Sequence, residues 1–589
     1  MRSTMQEIPL SISRILEYAR TVHSETTVTT YSEGKIHTST YHSIAARASA
    51  LAHALKDDLG IDGDQRVGTF MYNCAEHLET LCAVTCMGAV FNPLNRYLMN
   101  DQISHIINHA NDEIIIADPR LAEQLGEVLK DCPGVRAIVF IGTGPQHKPS
   151  SFIPDHLLVY SYEQLLDGKS THYSWPVLEE TTAAAICYST GTTGAPKGVI
   201  YSHRSIYLQS MHLRTTDSLA ISHGYSFLCC VPIYHVLSWG VPFAALMAGA
   251  PLVFPDSDVS PPVLKKLIEL THPRVAHGAP TIWIQLMVYY LEHPPKRMSL
   301  TEIFVGGSPA PPALIRMWEE HYGVDVVQVW GMTETSTAST VARPPRGVSG
   351  AARTDYRISQ GRFPASLEYR VVNDGQIVSS TDRNHGELQV RGNFVTGSYY
   401  HSPAEESQGT AHMFRGEEVD DALEKFTPDG WLRTGDVGTV TSDGYLIVQD
   451  RARDVIRSGG EWIYSAVLEN FIMESPEVVE CAVIGYPDEK WGERPLAVTV
   501  LHDGVAKDAV TAERLRDELR QHLPSWMLPE YWTFVEDIDK TSVAKFDKKD
   551  LRAHLRAGRF EVISLRGPGA QDRDSYSALG GHAPTGPRL

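Results

Sequence analysis

Residues Tyr188–Lys197 read YSTGTTGAPK, and Gly198–His203 continue as GVIYSH. The run is polar and rich in glycine, it lies between two apolar segments, and nothing in it can fill a core. The preceding TAAAICY is strand-like, GVIYS is a second strand, and RSIYLQSMHLR begins a helix. The pattern predicts a turn between strands. Gly191, Gly194 and Gly198 let backbone amides face inward without Cβ crowding. The hydroxyls of Ser189, Thr190, Thr192 and Thr193 and the ammonium of Lys197 add donors. Such a loop suits a polyphosphate. It is not the GxxxxGK[ST] phosphate loop, because TTGAPKG has neither that spacing nor a hydroxyl after the lysine.

Outward from this loop the chain alternates helical and strand-like segments. YHSIAARASALAHALKDDLG has apolar residues at helical spacing and closes on Gly60, and RVGTFMYN, EIIIADP and RAIVFIG read as strands. The alternation resumes through GAPLVFP, VLKKLIELTHP, EIFVGGSP and VDVVQVWG. That order predicts an α/β fold with buried, mostly parallel strands. From about Leu367 short strands separated by turns predict a β-rich subdomain, and beyond Arg451 a compact unit of about 110 residues follows. The expected organisation is a large N-terminal domain (1–449), a hinge (450–453), a small mobile α+β C-terminal domain (454–562) and a disordered tail (563–589).

The 589 residues exceed one compact domain. A net charge of -19 argues against a nucleic-acid binder, which needs a basic face, although a local pocket can still take a nucleotide. Eight cysteines without CxxC spacing predict buried free thiols in a reducing compartment. No segment has the apolar length of a signal peptide or membrane span, so the expected location is cytoplasmic. The terminal Pro587-Arg588-Leu589 is a degenerate peroxisomal import signal, which keeps that compartment open as an alternative.

Seven ordered motifs carry a resemblance. They are YSTGTTGAPKGVIYSH, VPIYH (231–235), GGSPAPP (306–312), VWGMTET (329–335), GWLRTGD (430–436), DRARDVIRSGGEWI (450–463) and KTSVAKFDKKDLR (540–552). Together they resemble the adenylate-forming enzymes, and the branch of medium- and long-chain fatty acyl-CoA synthetases most closely. The resemblance implies two steps on ATP, Mg2+ and CoA. A carboxylate attacks the α-phosphate and expels pyrophosphate, and a thiol then displaces AMP.

It also implies residue roles. Glu334 would bind magnesium, and Thr333 would donate to the α-phosphate. Gly306, Gly307, Ser308, Trp330 and Gly331 would flank adenine. Asp436 and Arg451 would hold the ribose, and Lys545 would reach the α-phosphate and the carboxylate. Arg453 would be the pivot of the small domain, whose rotation would bring Gly459 and Gly460 beside pantetheine. His235 would position the substrate carboxylate, and Trp239 would gate the acyl pocket. Two departures stand out. Ala544 replaces the usual glycine before the lysine, and Asp539 replaces a common proline. Because the substrate acid is already ionised near neutral pH, the first step needs cations and aligned donors rather than a base.

The stretch HVLSWGVPFAALMAGAPLVFP carries no acid before Asp256, which argues against an α-amino acid. A fatty acid is the expected substrate, with an aromatic acid as the alternative. CoA is the expected acceptor, with the phosphopantetheine of an acyl-carrier protein as the alternative. The sequence leaves a homodimer open.

Overall fold

The computed structural model describes every residue except 2, 143–148, 190–194, 374, 379–384, 403–424, 460, 541–545 and 567–589. The fold class is mixed α/β, built on three sheets.

The first sheet has seven strands, in the order 158–161, 137–140, 112–117, 66–70, 90–93, 183–189 and 197–202. All neighbours are parallel except the last pair. Parallel strands are covered on both faces, which explains their continuous apolar runs. Ile114 and Ile116 join the core under helices Tyr41–Asp57 and Ala75–Met87, and Ile115 between them joins a separate core with Ile103, Ile107 and Leu125. Helix Tyr41–Asp57 starts on Thr40, whose side chain accepts from the Ser43 amide.

The second sheet has fourteen strands. Its middle is parallel, running through 325–330, 302–306, 275–278, 227–229 and 252–254. The N-terminal hairpin Thr27–Thr40 extends one side, by pairing of Val28 with Leu252. On the other side, strands 340–341 and 361–362 lead to the antiparallel strands 445–451, 432–440, 386–392, 367–373 and 376–378. The β-rich segment is therefore continuous with the second α/β sheet by hydrogen bonding, where the sequence suggested a subdomain. The short strands 340–341 and 361–362 make the join, and two-residue strands leave almost no pattern in a sequence.

The third sheet is built from 456–458, 461–463, 478–488, 492–501, 531–535 and 563–564. Helix Ser465–Ile472 packs on it. All eight cysteines are buried and unbridged, as expected for free thiols. Among the described residues no helix is long and apolar enough to cross a membrane.

Candidate active site

The opening stretch forms a hairpin. Ala183–Ser189 and Lys197–Ser202 pair antiparallel, with Ser189 opposite Lys197 and Tyr188 opposite Gly198. Lys197–Ser202 is the last strand of its sheet, so the connection emerges at an edge. Thr190, Gly191, Thr192, Thr193 and Gly194 lie outside the described residues. At the base of the hairpin, Gly198 is closely packed, and a Cβ there would come within 2.9 Å of the Ile186 side chain.

The two residues expected to hold the ribose sit on adjacent strands of the second sheet. Asp436 and Arg451 are register partners, and Arg451 Nε lies 2.9 Å from Asp436 Oδ1. The other oxygen, Oδ2, accepts from Trp330 Nε1 at 2.7 Å. Both partners orient a carboxylate that is only 3% exposed. Each oxygen keeps a further lone pair, so the group can still accept from a diol. Trp330 is buried beside Phe363 and reaches Asp436 from the end of strand Asp325–Trp330.

Beyond Trp330 the chain turns sharply. A Cβ on Gly331 would lie 2.8 Å from the Ala338 amide nitrogen, so only glycine fits without movement. The single 3-10 turn Thr333–Thr335 follows, and residues Ser336, Thr337 and Ala338 are left-handed, with φ of 55, 52 and 44. This turn buries Glu334. Tyr399 donates to Glu334 Oε1 at 2.6 Å, and the Thr396 amide donates to the Glu334 carbonyl at 2.8 Å. The Tyr399 ring also lies 5.3 Å from Lys197 Nζ, and the Tyr400 amide donates to the Gly198 carbonyl at 2.8 Å. The 396–400 segment thus ties the base of the hairpin to the Glu334 turn. Thr333 is half-buried, and its carbonyl accepts from Tyr201 at 2.7 Å.

One lysine here is absent from the motifs. Lys425 donates to the Thr434 carbonyl at 3.3 Å, and burial pulls its ammonium below the ordinary lysine range against the opposing pull of Glu334. Arg451 and Asp436 act on it as well. Two cations and two carboxylates therefore converge where the motifs meet. Gly307 and Ser308 follow strand Glu302–Gly306 and are exposed, and Gly307 has φ of +87 with open space beside it.

Magnesium can be tested against these donors. Tyr399 holds one oxygen of Glu334. A buried carboxylate suits a hard cation. Among the described residues no group of three or more His, Cys, Asp or Glu gathers. The donors therefore fit an ion held by Glu334 together with substrate phosphates and water.

The acyl-side residues are differently built. His235 is half-buried with its ring 4.7 Å from Tyr234. Val236, Leu237, Ser238 and Trp239 then form a left-handed turn with φ between 49 and 57, ahead of helix Val241–Ala248. Left-handed backbone costs about 1–2 kcal/mol for each such residue. The surroundings hold it in place. Ser238 Oγ donates to the Val231 carbonyl at 2.7 Å and lies 3.2 Å from His277 Nε2. Trp239 packs edge-on against His277 and closes on Gly306, where a Cβ would come within 3.0 Å of the indole. Burial pushes the His277 imidazole down to about 4, so it is neutral.

The third group lies across the hinge stretch. Asp450 Oδ2 accepts from the Ser465 hydroxyl at 2.6 Å and its amide at 2.5 Å, which joins the last long strand of the second sheet to the first helix of the third. Burial raises the Asp450 carboxyl against the pull of Lys548. Arg453 is exposed, and its carbonyl accepts from Arg552 at 3.2 Å. Gly459 has φ of +61, and a Cβ there would sit 2.5 Å from the Trp491 ring. Gly460 and Lys545 lie outside the described residues, as do Pro587, Arg588 and Leu589.

The structure thus gathers Lys197, Trp330, Glu334, Asp436 and Arg451 around one location, with His235 and Trp239 on a neighbouring wall. Motif reading missed Tyr399 and Lys425. The only sequence signal for Tyr399 is a polar aromatic pair, Tyr399-Tyr400, in a glycine-bearing loop.

Comparison with known proteins identifies the family. Residues 16–400 match the model of the AMP-binding enzyme family, and residues 467–545 match its AMP-binding enzyme C-terminal domain. The chain is 34% identical over 557 residues to a medium-chain-fatty-acid–CoA ligase of Ectopseudomonas oleovorans, covering 94% of this chain and 97% of that one. It is also 34% identical over 562 residues to a 3-methylmercaptopropionyl-CoA ligase of Ruegeria lacuscaerulensis, covering 94% and 99%. The fold superposes on the anthranilate CoA ligase AuaEII, solved with anthranoyl-AMP, with a TM-score of 0.79, 22% identity, and 95% and 100% coverage. The chain belongs to the AMP-binding enzyme family, as an AMP-forming acid–thiol ligase.

Proposed function

We propose that this protein activates a medium- to long-chain fatty acid with ATP and passes the acyl group to CoA. The observation that carries the reading is the convergence of Glu334, Asp436, Arg451 and Lys197 beside the apolar stretch that follows His235. Asp436 and Arg451 would fix the ribose. Lys197 and the hairpin connection would face the phosphates that leave. Magnesium at Glu334 would neutralise phosphate charge. The barrier to attack is repulsion between two anions, and cations held in place by the fold lower it without reorganising at the moment of reaction. His235 positions the carboxylate rather than removing a proton. Gly459 and Gly460 would line the thiol's approach, and a rotation about Arg453 would exchange Lys545 for that face.

The apolar Val236–Ala248 region favours an aliphatic acid, since it carries no charged residue. The test is pyrophosphate release from purified protein, ATP and magnesium with a panel of carboxylates, with and without CoA. The reading expects activity on C8–C18 acids and formation of acyl-CoA. Adenylate formation without transfer to CoA, but with transfer to a carrier protein, would replace the acceptor. Faster turnover of benzoate- or cinnamate-type acids would replace the substrate.

A further inference from the structure

A buried polar cluster bridges the hinge stretch. Asp450 belongs to strand Tyr445–Arg451 of the second sheet, where it pairs with Val437. Ser465 and Glu469 lie one turn apart on helix Ser465–Ile472, and Lys548 opens helix Lys548–Arg556. Both helices pack on strand Val478–Asp488 of the third sheet. Lys548 Nζ lies 2.6 Å from Glu469 Oε1 and donates to the Ser465 hydroxyl at 2.7 Å. That hydroxyl donates in turn to Asp450 Oδ2, as does the Ser465 amide. Glu469 Oε1 also accepts from the Val483 amide at 2.7 Å, which fixes the Lys548–Glu469 pair to the third sheet. Asp450, Ser465 and Glu469 are buried. Burial works against the Lys548 ammonium, but Glu469, Asp450 and Asp454 outweigh it and raise the group, so it stays charged.

The members divide unequally about Arg453. Ser465, Glu469 and Lys548 follow it in the chain and pack on the third sheet, whereas Asp450 precedes it and is hydrogen-bonded into the second. A rotation at Arg453 therefore moves Ser465 away from Asp450 and breaks both bonds between them. A carboxyl buried with those donors must then find water or new partners, which makes the separation costly. Arg552 is a useful contrast. It donates to the Arg453 carbonyl at 3.2 Å and to Asp454 at 2.6 Å. That carbonyl lies beyond both rotatable backbone bonds of Arg453, so these contacts travel with the third sheet and survive the rotation.

We propose that Ser465 and Lys548 are positioning residues, which latch the C-terminal unit to Asp450 and must release it and rebind it once in every catalytic cycle. This rests on the ligase reading and on the rotation about Arg453. Neither residue touches the reactants in this role. Lys548 holds the Ser465 hydroxyl in line with Asp450, and the hydroxyl carries the contact across the hinge. The latch favours the half-reaction that uses the docked arrangement and delays passage to the other.

The experiment measures the two half-reactions separately on the full-length protein. One is the burst of pyrophosphate from ATP and a fatty acid without CoA, and the other is thioester formation from preformed acyl-AMP and CoA. Asp450→Ala and Lys548→Met are each expected to change the ratio of the two rates by roughly tenfold, the scale of one hydrogen bond to a charged group. Because both act through one latch, the double variant is expected to shift the ratio no further than Asp450→Ala alone. Ser465→Ala, which leaves every charge in place, provides the same comparison if the lysine variant does not fold. Half-reactions that slow equally, or a double variant whose shift is the product of the single shifts, would overturn the latch. Lys545→Ala is run beside them. If it separates the steps and the latch variants do not, the latch fails and the rotation stands. If it slows both steps equally, the rotation fails too, and no pyrophosphate release with any carboxylate would overturn the ligase reading as well.

Discussion

The proposed nucleotide side and the proposed acyl side of this site adjoin each other and are built in opposite ways. On the nucleotide side, Asp436 and Arg451 are register partners on adjacent strands, Glu334 sits in a 3-10 turn, and each is held by another polar group. Asp436 has Trp330 and Arg451, and Glu334 has Tyr399. On the acyl side, a left-handed turn is held by one serine, one neutral histidine and the packing of an indole against glycine. The first side is specified by the chemistry of side chains, which changes little with the acid activated. The second is specified by shape. The relatives show the consequence, because a fatty-acid ligase and a 3-methylmercaptopropionyl-CoA ligase are equally similar to this chain.

The largest expected effect separates the two reaction steps. Lys545→Ala is expected to lower acyl-AMP formation by roughly 10³-fold, the scale for losing a charge-stabilising donor. Thioester formation from preformed acyl-AMP should be nearly unchanged. Equal loss in both assays would contradict the alternation of the small domain. Asp436→Ala comes next. It strips Trp330 Nε1 and Arg451 of their shared partner, and a fall of roughly 10²-fold in kcat/KM for ATP is expected. The preference among acids should not move. If that preference changes, the two sides are not separable.

Trp239→Ala probes the other side. Removing a buried indole costs about 3–5 kcal/mol of stability, read by chemical denaturation. The KM for ATP should hold while the acid profile shifts to bulkier substrates. An unchanged profile would reduce Trp239 to packing. The smallest effect is expected from Tyr399→Phe. It leaves Glu334 oriented by its backbone alone, and about tenfold lower kcat/KM is expected, together with a higher magnesium requirement. An unaltered magnesium dependence would detach Tyr399 from the metal ligand.

The same contrast explains what could be read in advance. Alternating helices and strands, and the hairpin around YSTGTTGAPK, were legible because local periodicity and glycine spacing encode them. The second sheet was not legible as one sheet, because Val28 finds Leu252 more than 200 residues away. Registers of that kind depend on tertiary packing. Asp436 and Glu334 stood out by motif, and their roles remain a proposal. Tyr399 and Lys425 lie outside every motif and reach the site only through the fold. The left-handed turn was equally hidden, since VLSW reads as ordinary apolar chain and its four positive φ values are imposed by Ser238, His277 and the Gly306 strand.

The central claim is that a carboxylate attacks the α-phosphate of ATP on this protein. The direct measurement uses a fatty acid labelled with ¹⁸O in both carboxylate oxygens, incubated with protein, ATP, magnesium and CoA, followed by mass spectrometry of the products. The account predicts one ¹⁸O in AMP and none in pyrophosphate, because the attacking oxygen stays with the α-phosphorus when the thiol displaces the adenylate. Label in inorganic phosphate with ADP formed, or AMP free of label, would contradict it.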